Sequence, residues 1–352
     1  MLFRSRRRRG ATTGDDPTAL AVNGKSTEEL IEEIEALTAA ARAQRDPGLE
    51  RRILRLRHLA GMQLAEASGA RPEHPTPAFE LLPDGSAPPE VPPNELTPEL
   101  LRAAMLQDGC LLVRGMVDAD EAAYLVEDID RAFEARDAYR SGGTNRDGYY
   151  EDLVPDPRFD LGPERMAISD ASNLWGADSP RVMADLFDAF ERTGIRRLAT
   201  GYLGERPAIS VNKCTLRRVF PDTFTEDTPS FWHQDGAFLS DVRALNVWLS
   251  LSRCGDVAPG LDIVPRRLDH IVPTGTEGAV FDWSASQEIA EEAAGNVGIR
   301  RPTFEPGDVL LFDEYLLHAT GADPGMPNTR YAVECWFFGP SAFPDNYVPL
   351  AF

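Results

Sequence analysis

Apolar residues recur at helical spacing in two stretches near the start of the chain. The first follows Ser26-Thr27-Glu28-Glu29, a sequence typical of a helix capping box, and carries Leu30, Ile31, Ile34 and Leu37. The second follows the break at Asp46-Pro47-Gly48 and carries Leu49, Ile53, Leu56, Leu59 and Met62 on or near one stripe. The two stretches predict a helical hairpin over residues 26–68. We expect this hairpin either to pack on the core or to serve self-association.

The remainder of the chain changes from helical to strand patterning at about residue 207. Before that point, helices are predicted to begin at Thr97-Pro98 and Ser179-Pro180, with a strand near 110–117 and a further helix near 118–136. After it, short apolar segments separated by turn signals predict strands at 208–219, 244–252, 261–264, 303–304, 309–312 and 330–338. Such strands are typical of an antiparallel barrel. The pattern therefore predicts a mainly β fold with flanking helices.

Polar and proline-rich segments divide the chain further. Residues 1–25 are predicted to be a disordered basic arm, and residues 69–96, with eight prolines, an extended connector. The core domain then covers residues 97–352. Within it, residues 137–178 and 273–300 are polar and irregular, which is typical of lids or binding loops.

Composition narrows the classes of partner. The formal charge of −21 argues against nucleic acid, because its phosphates would be repelled. No apolar run approaches the length of a membrane span, so no membrane partner is expected. The cysteines (Cys110, Cys214, Cys254 and Cys335) lack metal or disulfide spacing, and the basic start lacks the apolar segment of a secretory signal. We therefore expect a cytoplasmic protein.

Candidate metal chemistry lies in Phe231-Trp232-His233-Gln234-Asp235-Gly236. Side chains two apart in an extended segment point to the same side, so His233 and Asp235 can reach one point together. His318, at the end of a later apolar run, is the third candidate ligand. Two imidazoles and one carboxylate suit non-haem Fe(II) and leave positions open for chemistry.

These residues, with the Pro-Gly-Asp turn at 306–308, resemble the phytanoyl-CoA dioxygenase-like family of Fe(II)- and 2-oxoglutarate-dependent oxygenases. The segment Ala258-Pro259-Gly260-Leu261-Asp262-Ile263-Val264-Pro265 is similar to the stretch that this family has between its two ligand-bearing strands. The resemblance covers roughly residues 97–340. It implies a double-stranded β-helix core, also called a jelly roll and cupin-like, to which the helical hairpin is added.

The resemblance also implies roles for individual residues. His233, Asp235 and His318 would bind Fe(II), and 2-oxoglutarate would be the cosubstrate of O2. Arg330 would bind the distal carboxylate of 2-oxoglutarate. Thr320 and Trp248 match positions near the cosubstrate, and either Asn212 or Thr215 is expected to contact it, since alternation alone leaves open which of them faces inward.

Two features bear on the reaction. Related halogenases have a small residue where this chain has Asp235, so the carboxylate favours hydroxylation of a small molecule with release of succinate and CO2. The family's Gly-Ser-His after the proline is replaced by Pro265-Arg266-Arg267-Leu268-Asp269-His270, in which the histidine is delayed by two positions. His270 is therefore expected to be a loop histidine and not a ligand.

Two alternatives remain at this stage: a cupin-like metal enzyme that does not use 2-oxoglutarate, and a non-catalytic jelly-roll interaction protein. The arginines near the proposed strands (Arg217, Arg218, Arg243, Arg253, Arg266 and Arg267) allow two interpretations. Either they pair with surface acids, or one or two of them bind an anionic group of the substrate. Because all the proposed chemistry lies beyond residue 207, residues 1–96 are expected to be dispensable for binding metal and cosubstrate.

Overall fold

The structure is a computed structural model that describes residues 24–85, 87–144, 147–170, 173–224, 228, 230–239 and 241–352. The predicted basic arm, residues 1–25, lies outside these ranges except for its last two residues. In the described ranges the helices are α1 (Thr27–Ala43), α2 (Pro47–Ala67), α3 (Pro98–Gln107), α4 (Ala119–Arg140), α5 (Gly162–Asp170), α6 (Pro180–Arg192), α7 (Ile195–Leu203), α8 (Gly236–Leu239) and α9 (Gln287–Ala294). No helix among them has the length and apolar character that crossing a membrane requires.

The strands form a large sheet and a small one. The strands are β1 (Glu90–Val91), β2 (Cys110–Val113), β3 (Asn173–Trp175), β4 (Ala208–Val219), β5 (Ala244–Ser250), β6 (Gly260–Ile263), β7 (Val309–Phe312), β8 (His318–Gly321), β9 (Arg330–Phe338) and β10 (Pro349–Ala351). The large sheet has the order β1-β2-β7-β5-β9-β4-β10, with β3 paired to β4. The small sheet pairs β6 with β8 in antiparallel register, Gly260 with Gly321 and Ile263 with His318.

One face of the large sheet is covered by helices. Cys214 of β4 lies against Met183 of α6, with 3.9 Å between their sulfur atoms, and Arg218 of β4 binds Asp130 of α4 at 2.8 Å. The ring of Phe337 on β9 packs on α6. Residues that alternate with these in sequence must point to the other face.

That other face, called the inner face below, looks toward the small sheet. It carries Thr215 and Arg217 of β4, Asn246 and Trp248 of β5, Phe312 of β7, and Glu334 and Trp336 of β9, which the strand registers place side by side. The Phe312 ring lies 5.0 Å from the ring of His318 at the start of β8. The space between the two sheets is therefore where the predicted chemistry must occur.

The α1–α2 hairpin packs on the end of the large sheet. Ser26 caps α1 as the capping-box sequence predicts: its hydroxyl accepts from Glu29 N at 3.3 Å, and the Glu29 carboxylate accepts from Ser26 N at 2.7 Å. Apolar residues of both helices form one cluster with Ala351 of β10. Arg57 Nη1 donates to the Ala351 carbonyl at 2.7 Å. Self-association through these helices stays a prediction.

Some expectations about the fold need correction. The architecture is a sheet-rich core with many helices, not a mainly β fold, because α-helices occupy more of the described residues than strands do. The helix predicted to begin at Ser179-Pro180 ends at Arg192, and a separate helix, α7, follows Gly194, whose φ of 80° lies in the left-handed region that a continuing helix cannot use. Deleting residues 1–96 would remove β1 and the Leu54 side chain from the main hydrophobic core. That these residues are dispensable for binding metal and cosubstrate stays a prediction.

Gly61 of α2 provides a test of how closely the hairpin is packed. A Cβ at this position would lie 2.9 Å from the carbonyl carbon and oxygen of Pro349 in β10. Although alanine is the better helix former, Gly61→Ala is expected to destabilise the protein by about 1–3 kcal/mol, because backbone cannot yield easily. Thermal unfolding measures the effect, and Gly69→Ala, with no atom within 4 Å, is the control. An unchanged or raised melting temperature for Gly61→Ala contradicts the prediction.

Candidate metal centre

His233 and His318 are brought together by main-chain hydrogen bonds. His233 N donates to His318 O at 2.9 Å, and His318 N donates to His233 O at 3.0 Å. Asp235 follows two residues later, and the adjacent Gly236 N donates to Glu314 O at 2.9 Å in the loop that leads to His318. One ligand atom from each of His233, Asp235 and His318 lies within 4.8 Å of the others. The structure thus assembles the three residues that the sequence singled out.

Both imidazoles are held in the tautomer that a metal requires. His233 Nδ1 lies 2.9 Å from Phe231 O, and His318 Nδ1 lies 3.0 Å from Leu316 O. A carbonyl oxygen can only accept, so each Nδ1 carries a proton, and Nε2 is the ring nitrogen that can face a metal. His318 Nε2 faces the Asp235 carboxylate at 3.8 Å.

The ionisation of the site also suits a cation. Burial lowers the pKa of His233 to about 4, and the neighbouring His318 acts in the same direction. Burial tends to raise the pKa of Asp235, but Lys213, whose Nζ lies 3.3 Å from Asp235 Oδ1, and the two histidines outweigh it and lower the pKa. Two imidazole Nε2 atoms and one carboxylate form the donor set that fits Fe(II) and related divalent ions.

Arg330, at the start of β9, is a fully buried cation with few partners. Its Nη1 donates to Gly260 O at 3.0 Å, its guanidinium lies 5.9 Å from the centre of the Trp248 ring, and its Nε has no hydrogen-bond partner. Glu334, whose charge acts on Arg330, is itself paired with Arg217. Burial lowers the pKa of Arg330 to about 10, and Arg217 acts in the same direction. A buried guanidinium without its own carboxylate is costly unless an anion binds to it.

The other predicted cosubstrate residues differ in placement. Trp248 is on the inner face, packed on Phe304 at 4.8 Å between ring centres. Thr215 is also on the inner face, and Thr320 follows His318 by two residues and so shares its side of β8. Asn212 is engaged elsewhere: its amide donates to Glu164 at 2.5 Å, and its side-chain oxygen accepts from Val348 N at 2.9 Å. The geometry therefore favours Thr215 over Asn212.

Two polar residues of the inner face were missed in the sequence. Asn246 is fully buried on β5, and within the described part of the chain neither its amide nitrogen nor its side-chain oxygen has a hydrogen-bond partner. Trp336 on β9 is paired with Asn246 in the strand register. Its indole Nε1 is also buried and has no hydrogen-bond partner among the described residues. An asparagine within an otherwise apolar buried strand could have been recognised in the sequence as a candidate site residue, because burying its polar side chain without a hydrogen-bond partner is costly.

Aromatic rings form a wall beside His233, here called the aromatic wall: Phe231, Phe238, Phe281 and Trp283. The Trp283 ring lies 5.6 Å from that of His233 and 5.3 Å from that of Phe238. Phe281 stacks on Trp283 at 5.0 Å with an interplanar angle of 12°. Two of the four rings come from the 273–300 segment, which therefore reaches the metal ligands.

The six arginines near the strands have partners among the described residues. Ion pairs occupy Arg217 (Glu334), Arg218 (Asp130), Arg253 (Asp256 and Glu305) and Arg267 (Asp313 and Asp269). Arg243 and Arg266 donate to main-chain carbonyls. Arg217 lies on the inner face and Arg218 on the opposite one, as alternation requires. These contacts favour structural pairing over the recognition of an anionic substrate.

Glu314, in the loop before His318, gives the protein a pH-dependent stability. Burial, assisted by the charge of Asp313, raises its pKa from 4.5 to about 8. The unfolded chain loses this proton near pH 4.5 and the folded protein keeps it to about pH 8, so stability falls as pH rises through that window. Glu314→Gln, which never ionises, is expected to melt about 3 °C or more above the wild type at pH 8 and close to it at pH 5.

Melting curves at half-unit steps from pH 5 to pH 8.5 measure this difference, with the exposed Glu277→Gln as control. The prediction is contradicted if the difference in melting temperature between Glu314→Gln and the wild type does not increase with pH.

The comparisons with known proteins give distant likenesses only. No family model and no curated protein matches the chain. Among solved structures, EctD from S. alaskensis with 2-oxoglutarate and 5-hydroxyectoine is 19% identical, covers 67% of this chain and 74% of that chain, and has a TM-score of 0.43. The epimerase SnoN in complex with Fe3+, alpha ketoglutarate and nogalamycin RO is 17% identical, with coverages of 68% and 82% and a TM-score of 0.38. EvdO2 from Micromonospora carbonacea var. aurantiaca, complexed with 2-oxoglutarate, is 16% identical, with coverages of 72% and 91% and a TM-score of 0.42. Likenesses at this level carry no conclusion about activity.

Proposed function

We propose that this protein is an Fe(II)- and 2-oxoglutarate-dependent dioxygenase of the phytanoyl-CoA dioxygenase-like type, which hydroxylates a small molecule within a jelly-roll core. The observation that carries the proposal is the pairing of two sites between the same sheets. One is the His233, Asp235 and His318 triad. The other is the buried guanidinium of Arg330, which has no carboxylate partner among the described residues.

The separation of these sites suits a short dicarboxylate. Arg330 contacts Gly260, which pairs with Gly321, three residues along β8 from His318. At about 3.3 Å per residue, the two sites are roughly 10 Å apart along the strands. A five-carbon keto dicarboxylate with a contact at each end fills such a span, one end at the metal and the other on Arg330.

In this assignment the chain's own residues bind and orient. The triad holds Fe(II), which with 2-oxoglutarate and O2 supplies the oxidising power for C–H hydroxylation, with succinate and CO2 as coproducts. Arg330 binds the distal carboxylate through two N–H donors. Asn246, with two unused hydrogen-bonding atoms on the inner face, and Thr215 or Thr320 supply the remaining polar contacts. Trp248 and Phe304 keep water from the guanidinium.

The substrate is proposed to lie against the aromatic wall. Phe238 and Trp283 contact His233 directly, and Phe281, which is 46% exposed, extends the surface toward solvent. An exposed apolar ring beside a buried polar site is typical of a small-molecule pocket. The segments 273–300 and 137–178 are proposed lids, because the first supplies Trp283 and the second places Glu164 on Asn212. A small molecule with a flat, apolar face fits this wall.

The experiment that tests the proposal has two readings. Anaerobic addition of 2-oxoglutarate to the Fe(II)-loaded protein is expected to produce a visible charge-transfer band. In air, succinate release is expected, and a screen of metabolite pools should find a substrate that accelerates it. Metal binding without the band would indicate a metal enzyme that does not use 2-oxoglutarate. Absence of metal binding would indicate a non-catalytic protein.

A further inference from the structure

A cluster of basic side chains surrounds a cavity that no residue of the aromatic wall lines. This cavity has a volume of about 160 Å³ and lies beside the loop 313–315, against the connector, α3 and α7. Its basic residues are Arg71, His74, Arg102, Arg243 and Arg267. We propose that this arginine cavity binds a small dianionic oxyanion, namely a phosphate group.

Two of the four arginines already have carboxylate partners. Arg71 binds Asp241 at 2.7 Å, and Arg267 binds Asp313 at 2.5 Å. These pairs place guanidinium groups at the cavity but leave no charge to be balanced there.

The other two arginines form no ion pair with a carboxylate in the part of the chain that the structure describes, and the charge of Glu205 acts on Arg243 only from a distance. Arg243 is buried and donates to carbonyl oxygens, at 2.6 Å to Leu203 and 2.9 Å to Glu73. Arg102 is half-buried and hydrogen-bonds to the neutral hydroxyl of Tyr202. Two positive charges at one cavity, in a chain whose formal charge is −21, form a local site for a doubly charged anion.

The pKa values of two basic groups at the cavity are lowered, by burial first and by the neighbouring positive charges in addition. Burial lowers the pKa of His74 to about 4, and Arg102 and Arg243 act in the same direction. Burial also lowers the pKa of Arg243, assisted by Arg102 and Arg71. Burial, assisted by the charge of Asp313, raises the pKa of Glu314 to about 8, which reduces the negative charge that this carboxyl brings to the cavity near neutral pH.

The donor geometry selects the class of ligand. A guanidinium presents a planar fork of N–H donors that matches the oxygens of phosphate, and several forks converge here. A monocarboxylate would balance only one of the two free charges. A phosphate group, free or part of a small ligand, balances both and fits within the cavity.

Metal-free protein and inorganic phosphate are the materials for the test, so the result does not depend on the proposed oxygenase activity. Isothermal titration is expected to show saturable binding of phosphate at one site, competition by sulfate and no competition by acetate. Arg102→Gln is expected to weaken phosphate binding at least tenfold, because it removes a free charge without disturbing a main-chain contact. Arg253→Gln, an exposed arginine outside the cavity, is expected to bind as the wild type does.

The outcomes that overturn the proposal are equally direct. If the wild-type protein shows no saturable binding at phosphate concentrations up to about 10 mM, which corresponds to a very weak dissociation constant, the proposed site does not exist. Equal affinity in wild type and Arg102→Gln would place the bound anion elsewhere. Arg102→Lys keeps the charge but loses the fork, and is expected to give an intermediate affinity; it also serves if the glutamine variant fails to fold.

Discussion

Replacing His318 with alanine is expected to remove tight Fe(II) binding while the protein stays folded. The side chain supplies one of the donor atoms that lie within 4.8 Å of each other, and two remaining donors hold a divalent ion weakly. The hydrogen bonds that join His318 to His233 are main-chain bonds, which alanine retains. We expect a loss of at least about a hundredfold in Fe(II) affinity.

Anaerobic titration with Fe(II), together with circular dichroism of the same sample, measures both parts of this result. His270→Ala is the matched control, because His270 is exposed and only its main-chain carbonyl is used, by Gln234 at 3.0 Å. Full metal stoichiometry at unchanged affinity in His318→Ala would remove His318 from the site.

The triad was accessible from sequence because it depends on strand periodicity and on donor chemistry. His233 and Asp235 are two apart, and His318 ends a run of apolar residues that reads plainly as a strand and turn. Their meeting needs only that two short segments lie side by side, which the main-chain bridge between His233 and His318 provides. Arg330 was found through its position relative to His318, but its burial without a carboxylate partner is a fact of packing.

The features that were not predicted from the sequence depend on contacts between residues that are far apart in the chain. Asn212 was a candidate for the cosubstrate site, yet its side-chain amide is hydrogen-bonded to the Glu164 carboxylate and to Val348 N. Asn246 reads as a minor polar interruption in β5, yet it is buried without a partner on the inner face. Alternation specifies the two faces of a strand, but only the tertiary contacts decide which face is covered by helices.

The arginines illustrate the same limit for charge. Arg217 and Arg267 cluster in sequence around the proposed strands, but their charges are balanced by Glu334 and Asp313 from other elements. Arg330, Arg102 and Arg243 form no ion pair with a carboxylate among the described residues, and no sequence pattern singled out Arg102. A sequence counts charges, whereas a structure shows which of them lack a counterion, and those positions are the ones for which anion binding is proposed.

Replacing Arg330 with glutamine is expected to separate cosubstrate binding from metal binding and from stability. Fe(II) affinity should be unchanged, because Arg330 does not contact the triad. Affinity for 2-oxoglutarate should fall roughly a hundredfold, since two charge-assisted hydrogen bonds together contribute about 3 kcal/mol. The metal-free variant should melt at or above the wild-type temperature, because the substitution removes a buried guanidinium that lacks a carboxylate partner among the described residues.

Arg330→Lys retains the charge without the fork and should bind 2-oxoglutarate with intermediate affinity. Arg218→Gln, on the helix-covered face where Arg218 binds Asp130, is the matched control and should leave both affinities unchanged. Titration of the anaerobic absorption band with 2-oxoglutarate reads the affinity, and melting curves with and without 2-oxoglutarate read the stabilisation that the anion confers. If 2-oxoglutarate still binds Arg330→Gln at wild-type affinity, its distal carboxylate lies elsewhere, and the buried guanidinium requires a different anion.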